Sequence, residues 1–339
     1  RALLDQAQLT DRAHEVRSLW INNSVAARVD RSTLLALAAR DDVTRIDLDQ
    51  YRKWIDDAQV SNNQSPTSNL QSVEWNIAKI RADQVWSALG ISGTGVIVAN
   101  MDTGVDWQHP ALLASYRGYN PKGLSNHLFS WFDATPDADQ YPYDGYGHGT
   151  HTMGTLVGSG GIGVAPGAKW IAARVLDNTG SGYDSWIHAG FQWIMAPGGD
   201  PSQAPNVFSN SWGNSNGYDQ VFRNDVIALN AAGIATFFSN GNSGPNTGSV
   251  GSPASIAEAF GVGATDANDL IALFSSRGPS PFGPIKPDVS APGVNVRSSF
   301  PGGVYRRFSG TSMAAPHVAG VAALMLSAMP SLTITSTRY

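Results

Sequence analysis

From Asn76 onward the chain alternates short apolar runs with longer segments of helical period. Val96 to Met101, Trp170 to Val175, Val207 to Ser211, Ile234 to Phe238 and Phe260 to Ala264 read as strands. Thr150 to Val157, Ser185 to Met195, Val221 to Ala232 and the apolar stretch Val318 to Met329 read as helices. Strands without a polar face belong in a sheet covered on both sides, and strand–helix alternation makes that sheet mainly parallel. The predicted class is therefore α/β, with ligand sites beyond the C-terminal ends of the strands.

The first residues follow another pattern. Val16 to Val29 reads as strands broken at Asn22-Asn23, Arg31 to Arg40 as a helix and Val43 to Leu48 as a strand, at higher charge density than the rest. These features predict a small α+β domain over residues 1–57. Ser61 to Asn69 is polar, with nothing to bury, so residues 58–70 read as a flexible linker ahead of the large domain at 71–339.

Composition narrows the function classes. The net charge of −5 is spread over 339 residues without a basic stripe, which argues against nucleic acid as a partner. The absence of cysteine excludes disulfides, thiol catalysis and thiolate metal sites. No window approaches an uninterrupted apolar run of membrane-spanning length, so no membrane role is expected.

Three segments carry chemistry. Asp102-Thr103-Gly104 closes the Val96 strand; Asp-Thr-Gly also serves aspartic proteases, which need two such carboxylates sharing a proton, so this single copy allows that reading only as a homodimer. His148-Gly149-Thr150-His151-Thr152 opens a helix. A zinc pair from His148 and His151 is the rival reading, but the His-Glu-x-x-His pattern is absent. In Gly310-Thr311-Ser312-Met313-Ala314-Ala315-Pro316-His317, Ser312 stands at a helix start as either an N-cap or a nucleophile favoured by the helix dipole. Ala314 replaces the second glycine of an α/β-hydrolase elbow.

The serine segment resembles, residue for residue, the active-serine motif of the subtilisin-like serine proteases, the subtilases, and the aspartate and histidine motifs resemble theirs in the same chain order. The resemblance covers about Gln71 to Met329. It implies a subtilisin-like three-layer fold in which Ser312 attacks, His148 takes its proton and Asp102 orients the imidazole. Ser239-Asn240-Gly241-Asn242 resembles the oxyanion segment, with Asn242 as donor and Asn240 as its competitor. Ser211-Trp212-Gly213 and Gly180-Ser181-Gly182 resemble the two strands that flank a bound peptide, with Gly241 beside them. Trp212 by its bulk either walls the pocket for the residue before the scissile bond or packs in the core, and Ser243 stands after Asn242 where an acid would attract basic side chains, so apolar or aromatic residues are expected at that position.

Ile46 to Tyr51 resembles the end of a subtilase prodomain, and Gln71-Ser72-Val73 with Ile77 to Ile80 the start of the mature enzyme. Residues 1–57 are then implied to be a ferredoxin-like prodomain that assists folding, inhibits in cis and is removed by self-cleavage between about Arg52 and Leu70. The implied function is a secreted, self-processing serine endopeptidase acting on proteins and peptides. A catalytically inactive peptide-binding homologue stays open beside it. Asp102 to Trp107, Tyr116 to Asn120 and Ser290 to Gly293 most resemble the bacillopeptidase F branch. Members usually add a further helix after the serine helix, so a truncated C-terminus is expected.

No cofactor is expected for the chemistry itself. The usual calcium loop ahead of Gly163-Val164-Ala165-Pro166 is reduced to Gly158 to Ile162, which has no carboxylate or amide side chain. Asp133, Asp137, Asp139 and Asp144, in a loop ahead of His148, are the remaining candidates for a structural calcium ion; their ordinary alternative is solvated surface charge.

Overall fold

A computed structural model of the chain describes residues 1–55, 59–65 and 72–333. The N-terminal unit runs α1 (Ala2–Leu9), β1 (Ala13–Leu19), β2 (Ser24–Val29) and α2 (Arg31–Ala38), followed by the short strands β3 (Tyr51–Lys53) and β4 (Gln59–Ser65). The main body continues with α3 (Trp75–Lys79), α4 (Ala82–Leu89), β5 (Ile97–Asp102), β6 (Trp131–Asp133), α5 (His148–Val157), β7 (Lys169–Arg174), β8 (Ser181–Tyr183) and α6 (Asp184–Met195). It ends with β9 (Val207–Asn210), α7 (Arg223–Ala231), β10 (Ala235–Ser239), β11 (Gly261–Thr265), β12 (Val289–Pro292), β13 (Val296–Phe300), β14 (Val304–Ser309) and α8 (Thr311–Ala328).

Seven strands form one parallel sheet in the order β12-β11-β10-β9-β5-β7-β6. Alternate side chains of each strand point to opposite faces. Val98, Ala172, Val207 and Phe237 accordingly join a core with Met153 and Leu156 of α5 and Ala315, Ala319 and Ala323 of α8. Their chain neighbours Ala99, Ala173, Phe208 and Phe238 join a second core with Ile187, Phe191 and Ile194 of α6 and Val226 and Leu229 of α7. The α/β class and the parallel sheet expected from the pattern are thus both present, with helices on each face.

Three expectations need correction. Val43 to Leu48 forms no strand; the run is mostly exposed and interrupted by Arg45 and Asp47, which pair with each other. The N-terminal unit is instead a β1–β2 hairpin with two helices around a small core of Leu4, Ala7 and Ala13, not a ferredoxin-like sheet. Of the expected linker, residues 59–65 are strand β4, paired antiparallel with β14, because main-chain groups at a sheet edge pair whatever their side chains. Residues 58 and 66–70 lie outside the described ones. Lastly, α8 has 18 residues and a mean hydropathy of 1.3, apolar enough to span a membrane, but it packs between the sheet and α5 with two-thirds of that stretch (67%) buried.

Small residues let α8 approach closely. A Cβ added at Gly320 meets Val164 Cβ at 2.5 Å. Gly320→Ala gains about 1 kcal/mol of helix propensity but incurs an overpacking cost of about 1–3 kcal/mol. A net loss is therefore expected, read as a lower denaturant midpoint at unchanged m-value in a Ser312→Ala background.

Candidate active site

Strand β5 carries Asp102 to the C-terminal edge of the sheet, where its carboxylate is 1% exposed. It accepts the Thr103 N–H at 2.8 Å, and the Nδ1–H of His148 is 2.8 and 2.9 Å from its two oxygens. An ionised carboxylate only accepts, so the His148 proton sits on Nδ1 and Nε2 keeps its lone pair. That Nε2 is buried and has no hydrogen-bond partner among the described residues. His148 is the first residue of α5, and the helix is set against β5 through glycine: a Cβ on Gly149 would lie 2.1 Å from the Gly104 carbonyl oxygen.

Asp144 locks this junction. Its Oδ1 accepts the Thr103 hydroxyl at 2.9 Å and the N–H groups of Tyr146 and Gly147 at 3.1 and 2.7 Å; Oδ2 accepts the Thr150 N–H and hydroxyl at 2.9 and 2.6 Å. Thr103 Oγ1 already accepts the Gly149 N–H, and Thr150 Oγ1 that of Asp106, so both hydroxyl protons are free to point at the carboxylate. Burial pushes the Asp144 carboxyl pKa up, while bonds from Thr150 and Gly147 pull it down.

The other three candidate calcium ligands do not converge with Asp144. Asp133, Asp137 and Asp139 surround the guanidinium of Arg174 at 2.8, 2.9 and 3.4 Å. Arg174 is wholly buried at the end of β7, in register with Asp102, and also donates to Thr135 and Asn178. The protein's own cation thus sits where the loop carboxylates gather. The histidine pair separates as well. His151 directs Nε2 at the carbonyls of Val296 and Arg306, at 3.2 and 3.1 Å, and stacks on Phe308.

Gly310 is the N-cap of α8, so Ser312 is the second helical residue and not a cap. Its hydroxyl donates to the Ser211 carbonyl at 2.8 Å, and the Ser211 hydroxyl donates to the Ser312 carbonyl at 2.9 Å. The second bond follows from Pro316, which has no N–H to offer the carbonyl four residues back. Asn242 Oδ1 accepts the Thr311 N–H and hydroxyl at 2.9 and 3.0 Å, which leaves Nδ2 as the outward donor. Asn240 is committed elsewhere: it is fully buried, with Nδ2 on the Ser276 carbonyl. Asn242, Gly241, Ser211, Trp212, Gly213 and Ser312 line one pocket together with Trp54.

The flanking segments hold a strand from the same chain. Strand β3 pairs antiparallel with β8, Arg52 opposite Gly182 and Lys53 opposite Ser181. Trp54 and Ile55 both donate N–H to the Gly180 carbonyl, and the Gly213 N–H donates to the Trp54 carbonyl at 3.0 Å. Trp212 is 1% exposed and meets Trp54 edge-on at 5.6 Å, beside Phe222.

Residues 93–339 match the profile of the subtilase family, peptidase S8. The chain belongs to the subtilase family. It is 41% identical to bacillopeptidase F of Bacillus subtilis (strain 168) over 344 residues, covering 95% of this chain and 24% of that protein. It is 38% identical to subtilisin E of the same strain over 275 residues, which is 79% of this subtilase and 65% of subtilisin E. M-protease of Shouchella clausii (strain KSM-K16) is 37% identical over 296 residues, 86% of this chain and 68% of that protein. The chain thus spans about a quarter of bacillopeptidase F and less than two-thirds of subtilisin E.

The sequence singles out Asp102, His148, Ser312 and Asn242 but not Asp144 as a locking group, Arg174 or the paired hydrogen bonds of Ser211 with Ser312. Each lies within a quoted motif or beside one; what was hidden is the partner across space.

Two histidines make the site acid-sensitive. His317 donates Nδ1–H to the Met313 carbonyl and accepts from Asn76 at Nε2, so it is neutral as folded. Burial lowers its pKa to about 4, and burial with neighbouring His148 lowers that of His151 to about 3. Below about pH 6.5 the unfolded chain binds protons that the folded one does not. Stability from this source is complete above that pH and falls as pH drops toward 4 and 3. Denaturant midpoints of the Ser312→Ala protein between pH 7.5 and 4 check this, with His317→Gln giving a shallower decline.

Proposed function

We propose that this subtilase is a secreted serine endopeptidase that hydrolyses peptide bonds in proteins through an acyl-enzyme and is made as a self-processing zymogen. The observation that carries the reading is the Asp102–His148 pair, whose Nε2 has no partner among the described residues, on the sheet edge that also bears Ser312 and Asn242. Ser312 Oγ leaves the Ser211 carbonyl by rotation about χ1 and attacks the substrate carbonyl carbon as Nε2 takes its proton. The new oxyanion receives hydrogen bonds from Asn242 Nδ2 and the Ser312 N–H. Collapse expels the amine, protonated by the imidazolium, and water then cleaves the ester by the same route. Asp102 stays ionised and holds the tautomer.

An extended substrate adds as a strand between β8 and Ser211–Gly213. The seat of β3 in that groove supports residues 1–57 as an intramolecular inhibitor. Pairing of Gln59 with Ser309, three residues before Ser312, supports self-cleavage within Arg52–Leu70. Against an aspartic dyad, Asp102 is already engaged by His148 and the Thr103 N–H. The chemistry calls on no metal.

Incubated wild type is expected to lose its N-terminal segment by a cut within Arg52–Leu70, read by intact mass, while Ser312→Ala stays whole and unlabelled by a fluorophosphonate. Asn242→Ala should lower turnover on the order of 10²–10³-fold with KM little changed. Processing or labelling that persists in Ser312→Ala refutes the reading, and absence of both from the wild type favours an inactive homologue.

A further inference from the structure

The strand in the cleft carries a cation, and the cleft meets it with two acids. Arg52 donates Nε and Nη2 to both oxygens of Asp184, at 3.0 and 2.6 Å, and Nη1 to Asp219 Oδ2 at 2.7 Å. The carboxylate side chains are only 9% and 13% exposed. They come from separate elements: Asp184 is the first residue of α6, and Asp219 lies in the loop between β9 and α7, steadied by Asn214 Nδ2 and the Val221 N–H. The guanidinium also lies 4.8 Å from the centroid of the Trp54 ring. Trp54 is buried against Trp212 and Phe222, and its Nε1 donates to the Gly182 carbonyl.

Two largely buried carboxylates facing one another repel unless a cation lies between them. We propose that Asp184 and Asp219 form a subsite for a basic side chain of the substrate, at the strand position facing Gly182, with an aromatic side chain two residues later filling the Trp212–Phe222 pocket. Arginine is preferred to lysine, because its planar fork serves both oxygens of Asp184 and still reaches Asp219. The proposal rests on the reading of this groove as the substrate cleft and adds a position-specific charge preference to it. It is separate from the apolar preference expected next to the scissile bond.

The test has two arms. Full-length chain that has processed itself is given fluorogenic peptides copying residues 49–63, with Arg, Lys, citrulline or Leu in place of Arg52. Arg should exceed citrulline by about tenfold or more in kcat/KM, and the ratio should collapse toward one in Asp184→Asn and Asp219→Asn; equal rates with Arg and citrulline in the wild type overturn the proposal. In the uncut Ser312→Ala chain, the same aspartate variants should speed hydrogen exchange of the amides in residues 51–55. Unchanged protection there overturns it independently of any hydrolysis. If no peptide is cut at all, the endopeptidase reading fails, while the exchange arm still decides whether the acids hold the cation.

Discussion

The Asp144 carboxylate has no solvent to lean on, and five donors from the turn after β5 and the entry to α5 supply what water would. Through Thr103 it grips the residue after Asp102, and through Gly147 and Thr150 it grips the N-terminus of α5 on both sides of His148. The Asp102–His148 hydrogen bond depends on this clamp, because an imidazole at a helix start takes its orientation from the helix. The glycine contact between Gly149 and the Gly104 carbonyl closes the remaining gap. The Asp102–His148 pair at the sheet edge is thus fixed less by its own bond than by the polar group that satisfies the backbone around it.

The same logic runs through the serine side. Pro316 fixes the local backbone but leaves the Ser312 carbonyl without its helical donor, and the Ser211 hydroxyl fills that place. The Ser211 carbonyl accepts the Ser312 hydroxyl in return. One segment therefore holds Ser312 by both its carbonyl and its hydroxyl and, one residue further on, lines the pocket that Trp54 shares. The dense packing of small residues along α8 makes this possible, since Ala315 and Ala319 pack into the core under the sheet and Gly320 leaves room for Val164.

The strands of the sheet were legible because their burial is dictated by side chains: β5, β7, β9, β10 and β11 each lie within a residue or two of the apolar runs that predict them. Asp102, His148, Ser312 and Asn242 could be singled out because their motifs are local. Arg174 was not, since an arginine closing an apolar run carries no sign of the three aspartates that will surround it, and those aspartates by themselves read as metal ligands or surface charge. What distinguishes Asn240 from Asn242 is likewise their partners across space, Ser276 for one and Thr311 for the other.

Main-chain pairing explains the remaining errors of reading. Val43 to Leu48 has strand-like residues and no strand, whereas the polar Gln59–Ser65 and the mixed Tyr51–Lys53 are both paired. Side-chain pattern reports which residues seek burial; it does not report which sheet edges lack a partner. β14 and β8 present such edges, one a few residues before Ser312 and the other lining the cleft. A chain covalently tied to the domain sees them at high effective concentration. It follows that a free peptide must match, without that tether, the hydrogen bonds that β3 makes to Gly180, Gly182 and Gly213. Any specificity beyond those sequence-blind bonds has to come from side chains, and at this groove the ones available are the aromatic wall of Trp212 and Phe222 and the carboxylates above it.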